Sequence, residues 1–282
     1  MTGVQSGGKP AGWFEVTTIA AGIASIAEPG HAEHVHSYLI EGEKDVAVLD
    51  TGMGVGDFYG LVRSLSDRSP IVLQSHAHWD HVGATAQFER VLVHPAEAKD
   101  LERSYSDEDL ASWFTADKLR GIPYPEGFDP SLLRIPGATA TGMLNHGDRI
   151  DLGGRELEIY HTPGHSPGGI TIFDPSSGLL FPGDALNLGP LYLFGPQADL
   201  AAFKSSLEIL VELAGRASAI YPSHYEVPMT PNDVLLTERA FEVILAGKEP
   251  DTVNETMEIY EFDRFSFLIE PGALEEMDVA NL

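Results

Sequence analysis

Ser75-His76-Ala77-His78-Trp79-Asp80-His81-Val82-Gly83 follows directly on the apolar run Ile71-Val72-Leu73-Gln74. The apolar run predicts a short buried strand. In extended backbone His76 and His78, two positions apart, project to the same side. Asp80 and His81 come where that strand has to end, so a turn can swing a carboxylate and a third imidazole around the same point. Imidazole and carboxylate suit Zn²⁺ and its first-row neighbours. The plainer reading, a polar loop that happens to be rich in histidine, explains one His far better than three with an Asp at this spacing.

Working outward, the same pattern returns three times. Thr162-Pro163-Gly164-His165-Ser166-Pro167-Gly168 sets a His in a Pro/Gly turn. Phe181-Pro182-Gly183-Asp184 sets an Asp after the strand-like Leu179-Leu180-Phe181, and Tyr221-Pro222-Ser223-His224 sets a His after Ala219-Ile220-Tyr221. Each candidate ligand ends a short apolar segment at a turn, the way a rigid scaffold presents function on loops. Taken together, these motifs resemble the metallo-β-lactamase fold superfamily of hydrolases, in its glyoxalase II and lactonase-like branch. The matched motifs run from about Asp50 to His224.

The resemblance implies an α+β fold, a four-layer αββα sandwich of two mixed sheets with helices outside. It also implies a division of labour. His76, His78 and His165 should hold one metal ion, and Asp80, His81 and His224 a second, with Asp184 bridging them. Two divalent ions about 3.5–4 Å apart share a hydroxide that attacks an acyl or phosphoryl centre. Zn²⁺ is the default, and Mn²⁺, Fe²⁺, Co²⁺ or Ni²⁺ suit nitrogen and oxygen donors too. Asp80 and Asp184 are the expected catalytic carboxylates, Asp80 orienting the nucleophile and shuttling its proton.

Composition bounds the rest. The 282 residues suffice for one large domain with an ample core, and no linker or repeat divides them, so a single domain over 1–282 is expected. Apolar residues make up 43% and charged residues 21%, ordinary for a globular chain. No apolar run approaches a membrane span. The opening Met1-Thr2-Gly3-Val4-Gln5-Ser6-Gly7-Gly8-Lys9-Pro10 lacks the basic and apolar regions of a signal peptide, which favours a flexible leader and a cytoplasmic location. The net charge of −26 repels phosphate backbones and anionic lipid surfaces. A small-molecule substrate is therefore expected, with neither nucleic acid nor membrane as partner; a homodimer is compatible with the sequence. The same charge fits a salt-rich habitat or simply a well-solvated acidic surface. There is no Cys, so disulfides and thiolate ligands are absent and any metal must be held by N and O.

Along the chain, residues 14–26 read as an opening strand pair, and residues 35–41 and 46–49 as paired strands. Asp50 closes the second of these. It either orients a ligand imidazole through its other ring nitrogen or caps a turn; the resemblance favours the first. His36, in His36-Ser37-Tyr38-Leu39, either lines the pocket or is an ordinary loop histidine. Residues 56–66 read as a helix. Residues 95–120 have helical character and 121–141 are broken by four prolines, so 95–141 forms an insertion near the active site or a peripheral cap. Residues 149–161 read as a hairpin turning at Gly153-Gly154, 199–213 and 231–246 as helices, and 258–269 as a late strand. His94 and His161 read as structural. The acidic tail 270–282 is expected to be flexible. Trp79, Phe114, Tyr192, Phe194 and Tyr225 are candidates to wall an apolar pocket, with Tyr192 and Tyr225 preferred as substrate contacts.

The expected function is a dinuclear metal-dependent hydrolase of an ester, lactone or thioester. The absence of Cys and the presence of Asp184 speak against a dedicated β-lactamase. Lactonases of the resembled family carry a Tyr three residues after the bridging Asp, where this chain has Asn187, and the Gly-rich, Arg-containing stretch of glyoxalase II-type thioesterases is not evident after Asp184. The alternatives are an oxidoreductase like the single-iron persulfide dioxygenases, and broad β-lactamase or phosphodiesterase activity.

Overall fold

A computed structural model describes residues 12–277; the expected leader and the last five positions of the tail lie outside the described residues. Strands β1 (Glu15–Ala20), β2 (Ile23–Ala27), β3 (His36–Glu41), β4 (Asp45–Leu49), β5 (Ser69–Leu73), β6 (Val91–Val93) and β7 (Gly142–Met143) form one sheet in chain order. The first four are antiparallel and β4 through β7 are parallel. Next come β8 (Arg149–Asp151), β9 (Glu156–His161), β10 (Ile170–Asp174), β11 (Leu179–Phe181), β12 (Pro190–Leu193), β13 (Ala219–Ile220), β14 (Thr252–Val253), β15 (Glu258–Glu261) and β16 (Ser266–Ile269). The second sheet has the order β13-β11-β10-β9-β8, and a smaller third has the order β12-β16-β15-β14.

Side-chain alternation explains the layers. In β3 to β5, Leu39, Val46, Val48 and Val72 face outward to helix α1 (Phe58–Leu65), where Phe58 and Val62 meet them. Their neighbours Tyr38, Ile40, Ala47, Leu49, Ile71 and Leu73 face inward onto Leu157, Ile159, Ile170 and Ile172 of the second sheet. Strands buried on both faces read as unbroken apolar runs, as these do. Two short helices follow β6 in the chain, α2 (Ala98–Leu101) and α3 (Asp107–Leu110). The second sheet turns Phe173, Leu180 and Ile220 to the far side. There they meet Phe203, Leu207 and Leu210 of α4 (Leu200–Ala214) and Phe241 and Ile244 of α5 (Pro231–Leu245). Helix, sheet, sheet, helix is the αββα sandwich. Among the described residues no helix is long and apolar enough to cross a membrane.

The segment 95–120 departs from its expected helical character. It holds only α2, α3 and 3₁₀ turns at Pro95–Glu97 and Ala116–Lys118. Tyr105 leaves the helical path to exchange backbone hydrogen bonds with Ile135 (2.8 and 3.0 Å), and Ser106 starts a new helix with a reciprocal cap to Asp109. The late strand 258–269 is a hairpin of β15 and β16. In the tail expected to be flexible, α6 (Ala273–Glu276) forms a turn and Met277 is buried against the second core.

Candidate metal centre

Every residue singled out in the opening motif lands at one rim of the sandwich. β5 ends at Leu73 and releases Ser75 to His81; β9 and β10 are joined by the turn carrying His165; β11 ends two residues before Gly183-Asp184; β13 ends four before His224. The two sheets are tied at this rim, Ile170 N–H donating to Ser75 O at 3.0 Å. Three groups of side chains converge there: His76, His78 and His165; His76, His81 and Asp184; Asp80, His81 and His224, the donor atoms of each within 4.8 Å of one another.

Each of the five imidazoles is bonded on its outward nitrogen. His76 Nδ1 meets Ser75 Oγ at 2.9 Å, His78 Nε2 meets Gln197 Oε1 at 3.0 Å, and His81 Nδ1 meets Asp50 Oδ2 at 2.9 Å. His165 Nδ1 donates to Tyr192 O at 2.7 Å and His224 Nδ1 to Glu33 O at 2.8 Å. An oxygen acceptor on the outward nitrogen places the proton there and leaves a lone pair on the inward one. The inward lone pairs then face each other, with His165 Nε2 2.9 Å from His78 Nδ1 and His81 Nε2 3.2 Å from His224 Nε2. Asp184 sits between the groups: Oδ2 is 3.1 Å from His224 Nε2 and 3.6 Å from His165 Nε2, and Oδ1 is 3.4 Å from His81 Nε2. His76 Nε2 and Asp184 Oδ1 are buried without a hydrogen-bond partner. Buried polar atoms without partners are costly, and converging lone pairs repel. A cation among them resolves both, so the donor set fits one or more metal ions of the nitrogen- and oxygen-binding kind.

The electrostatics agree. Burial opposes charge on His81 and His224, yet the Asp184 and Asp80 carboxylates overcome it, raising His81 well above the ordinary value and His224 to about 9. Burial also opposes charge on Asp184, but His224, His81 and His76 hold its carboxyl well below the usual range. Burial pushes His165 down to about 4. The buried carboxylates thus make the rim a place that favours positive charge, which is where a cation is bound.

Asp50 adopts a left-handed backbone (φ 57°), uncommon outside glycine. That turns its carboxylate back under the motif. It accepts from Gln74 Nε2 and Ser75 N–H at 2.7 Å each, from Ser75 Oγ at 2.6 Å and from His81 Nδ1 at 2.9 Å. Tyr225 is likewise left-handed (φ 62°), and its hydroxyl donates to Glu33 Oε2 at 3.3 Å. The centre opens on a cavity of about 430 Å³ whose wall includes Trp79, Tyr105, Trp113, Tyr192 and Phe194, with Glu33, Asp100, Arg103 and Gln197 as its polar members. Tyr192 therefore faces the cavity. Tyr225 and Phe114 do not line it, Phe114 packing behind Trp79 in the core. His36 does not line it either: it is buried, bonded through Nε2 to Tyr225 O at 2.9 Å and through Nδ1 to Ser25 Oγ at 3.2 Å. His94 and His161 stack 3.9 Å apart, outside the cluster.

Four residues that shape the centre were not singled out from sequence: Glu33, Glu97, Asp100 and Gln197. Gln197 lies 119 positions from the His78 it contacts, and a lone Gln in a Gly-Pro loop carries no periodic or motif signal. Glu97 alone had a faint one, a carboxylate in a Pro-started turn immediately after a strand.

Comparison with known proteins accords with this geometry. The family described as "Metallo-beta-lactamase superfamily" matches residues 32–224. Acyl-coenzyme A thioesterase MBLAC2 of Bos taurus is 30% identical over 229 residues, covering 76% of this chain and 81% of that protein. Hydroxyacylglutathione hydrolase GloC of Haemophilus influenzae is 28% identical over 156 residues, 54% of this chain and 66% of that one. Among solved structures, a metallo-beta-lactamase family protein from Thermus thermophilus superposes with a TM-score of 0.62 at 23% identity, covering 81% of this chain and 82% of that one.

Proposed function

This chain belongs to the metallo-beta-lactamase superfamily as a metallo-hydrolase, and from that premise we propose that it hydrolyses acyl thioesters of small molecules through two divalent metal ions. The observation that carries the reading is the convergence of five imidazole nitrogens with Asp80 and Asp184 at the floor of an aromatic-walled cavity. That two thioester hydrolases are among the relatives favours the thioester within the wider class of acyl substrates.

In this proposal His76, His78 and His165 hold one ion, Asp80, His81 and His224 the other, and Asp184 faces both. Zn²⁺ is the default, and Mn²⁺, Fe²⁺, Co²⁺ or Ni²⁺ fit the same donors. Ions bound there supply Lewis acidity, lowering the pKa of water and stabilising negative charge on an acyl oxygen. The chain's own residues do the rest. Asp80, with oxygens 3.7 Å from His81 Nε2 and 3.5 Å from His224 Nε2, aligns the attacking water and takes up its proton. Asp50 fixes the ring plane of His81, and the carbonyls of Tyr192 and Glu33 fix those of His165 and His224. Trp79, Trp113 and Phe194 receive the apolar acyl group and exclude water from it.

The test is proton release, followed with a pH indicator. The Zn²⁺-loaded full chain is offered an acyl-coenzyme A, a glutathione thioester, an aryl ester, an acyl-homoserine lactone and a β-lactam, with and without chelator. Acid production from a thioester that stops on chelation is the expected outcome. Turnover of the ester or lactone alone would move the reaction to a second reading, an esterase or lactonase, which the Tyr192 phenol on the cavity wall favours as a donor to an alkoxide leaving group. Thioester cleavage that survives complete metal removal would overturn the metal-dependent reading.

A further inference from the structure

The insertion 95–141 begins with a short helical stretch, and two of its carboxylates, three positions apart and so on one face, reach the metal centre by different routes. Glu97 is buried and spans the two loops that carry His76, His78 and His165. Its Oε2 accepts the N–H of Ala77, between His76 and His78, at 3.1 Å; its Oε1 accepts the N–H of Gly168 at 2.8 Å. A Cβ on Gly168 would lie 2.5 Å from Glu97 Cγ, so the approach is as close as glycine permits. Asp100 acts at one remove. Its Oδ2 accepts from Gln197 Nε2 at 2.8 Å, and Gln197 Oε1 accepts from His78 Nε2 at 3.0 Å. A carboxylate that fixes the amide of Gln197 in one orientation leaves only its oxygen for His78.

We propose that the opening turn of the insertion is the outer brace of the first ion's site: Glu97 sets the spacing of the two ligand loops, and Asp100, through Gln197, sets the ring orientation and tautomer of His78. Glu97, Asp100 and Gln197 are positioning residues. They act on the ion bound by His76, His78 and His165 and leave the ion bound by Asp80, His81 and His224 alone. The assignment rests on the ligand reading of the preceding subsection.

The experiment titrates Zn²⁺ into the metal-free full chain in competition with a chelating indicator, alongside thermal unfolding of the metal-free forms. Two ions are expected in the unaltered chain. Gln197→Ala should weaken one of them by about 10- to 100-fold, the usual cost of losing an outer partner of a metal-bound imidazole, and leave the other unchanged. Asp100→Asn should do the same to a smaller degree, and the double variant should be no worse than Gln197→Ala, because the two act in series. Glu97→Gln, which sets an NH₂ against one of two N–H donors, should weaken the same ion. If its metal-free form unfolds early, the cavity-wall variants still decide the matter. Unchanged affinity in all of them overturns the brace while sparing the ligand reading, and so does equal weakening of both ions. Failure of the unaltered chain to take up Zn²⁺ overturns the ligand reading and the brace together. A purely structural role would lower the unfolding temperature without touching either affinity.

Discussion

At the scale of single residues, the centre is built by fixing protons. Five imidazoles are each told by an outward acceptor which nitrogen to leave bare. The acceptors are of three kinds: the Asp50 carboxylate, the backbone carbonyls of Glu33 and Tyr192, and the neutral oxygens of Ser75 and Gln197. Ser75 can accept from His76 because its own proton goes to Asp50. Just outside this network lies a carboxyl group in a different situation. Glu28 is 1% exposed and accepts from the Trp13 indole and from Met53 N–H at 2.8 Å. Burial raises it to about 7, more than those two donors lower it. Below pH 4.5 folded and unfolded chains both hold this proton. As pH rises towards 7 the unfolded chain releases it first, so the folded state loses stability across that window, by about 3 kcal/mol in all for a shift of this size. Unfolding by denaturant at pH 5 and pH 8, compared between the unaltered chain and Glu28→Gln, isolates the effect. The stability of the unaltered chain relative to the variant should fall by about that amount at the higher pH, and a difference that does not change with pH would refute it.

At the scale of elements, the parts of the chain that were legible in sequence are those whose pattern is local. β5 was marked by Ile71-Val72-Leu73 and the β8–β9 hairpin by Gly153-Gly154. The N-terminus of α5 was marked by Pro231, which the structure completes with a Thr230–Asp233 cap. The metal motif was legible because a strand end and a turn need so few positions to gather ligands. The insertion was not, because its helical character is cut by a pairing, Tyr105 with Ile135, between residues thirty positions apart. In sequence the β15–β16 hairpin reads as one strand, because Asp263-Arg264 carries no glycine or proline to mark the turn. One glycine shows how tightly the elements meet. A Cβ on Gly83 would sit 2.0 Å from Gly54 N and 2.5 Å from Gly52 O, all rigid backbone, and Gly83 N–H already donates to Gly52 O at 2.8 Å. Gly83→Ala should therefore force the 52–54 turn off the end of the ligand motif at a cost of about 1–3 kcal/mol. That is an unfolding temperature lower by several degrees in the metal-free protein. An unaltered midpoint would mean the turn yields freely.

At the scale of the whole molecule the dominant fact is charge, 43 acidic residues against 17 basic ones. Composition made this legible at once, and the structure adds where it is tolerated. The described cations are largely spoken for at the surface, Arg149 by Glu156 and Glu158, Arg216 by Glu158, Arg90 by Asp45 and Arg264 by Asp233. Exposed pairs of this kind add little each, and they leave most carboxylates facing one another through solvent. Self-repulsion of that sort works against the compact state and acts over the Debye length, which shrinks from about 30 Å at 0.01 M salt to about 8 Å at 0.15 M. The protein should therefore gain several degrees in unfolding temperature over that first interval of added NaCl at fixed pH. The gain should flatten at higher salt, because carboxylates farther apart than a Debye length no longer feel each other. Chloride and sulfate at equal ionic strength should act alike in this range, since screening depends on ionic strength alone. Stabilisation through exclusion of salt from the surface behaves differently: it favours sulfate and keeps growing with concentration. A midpoint indifferent to salt up to 0.15 M would show that the acidic surface costs the fold nothing.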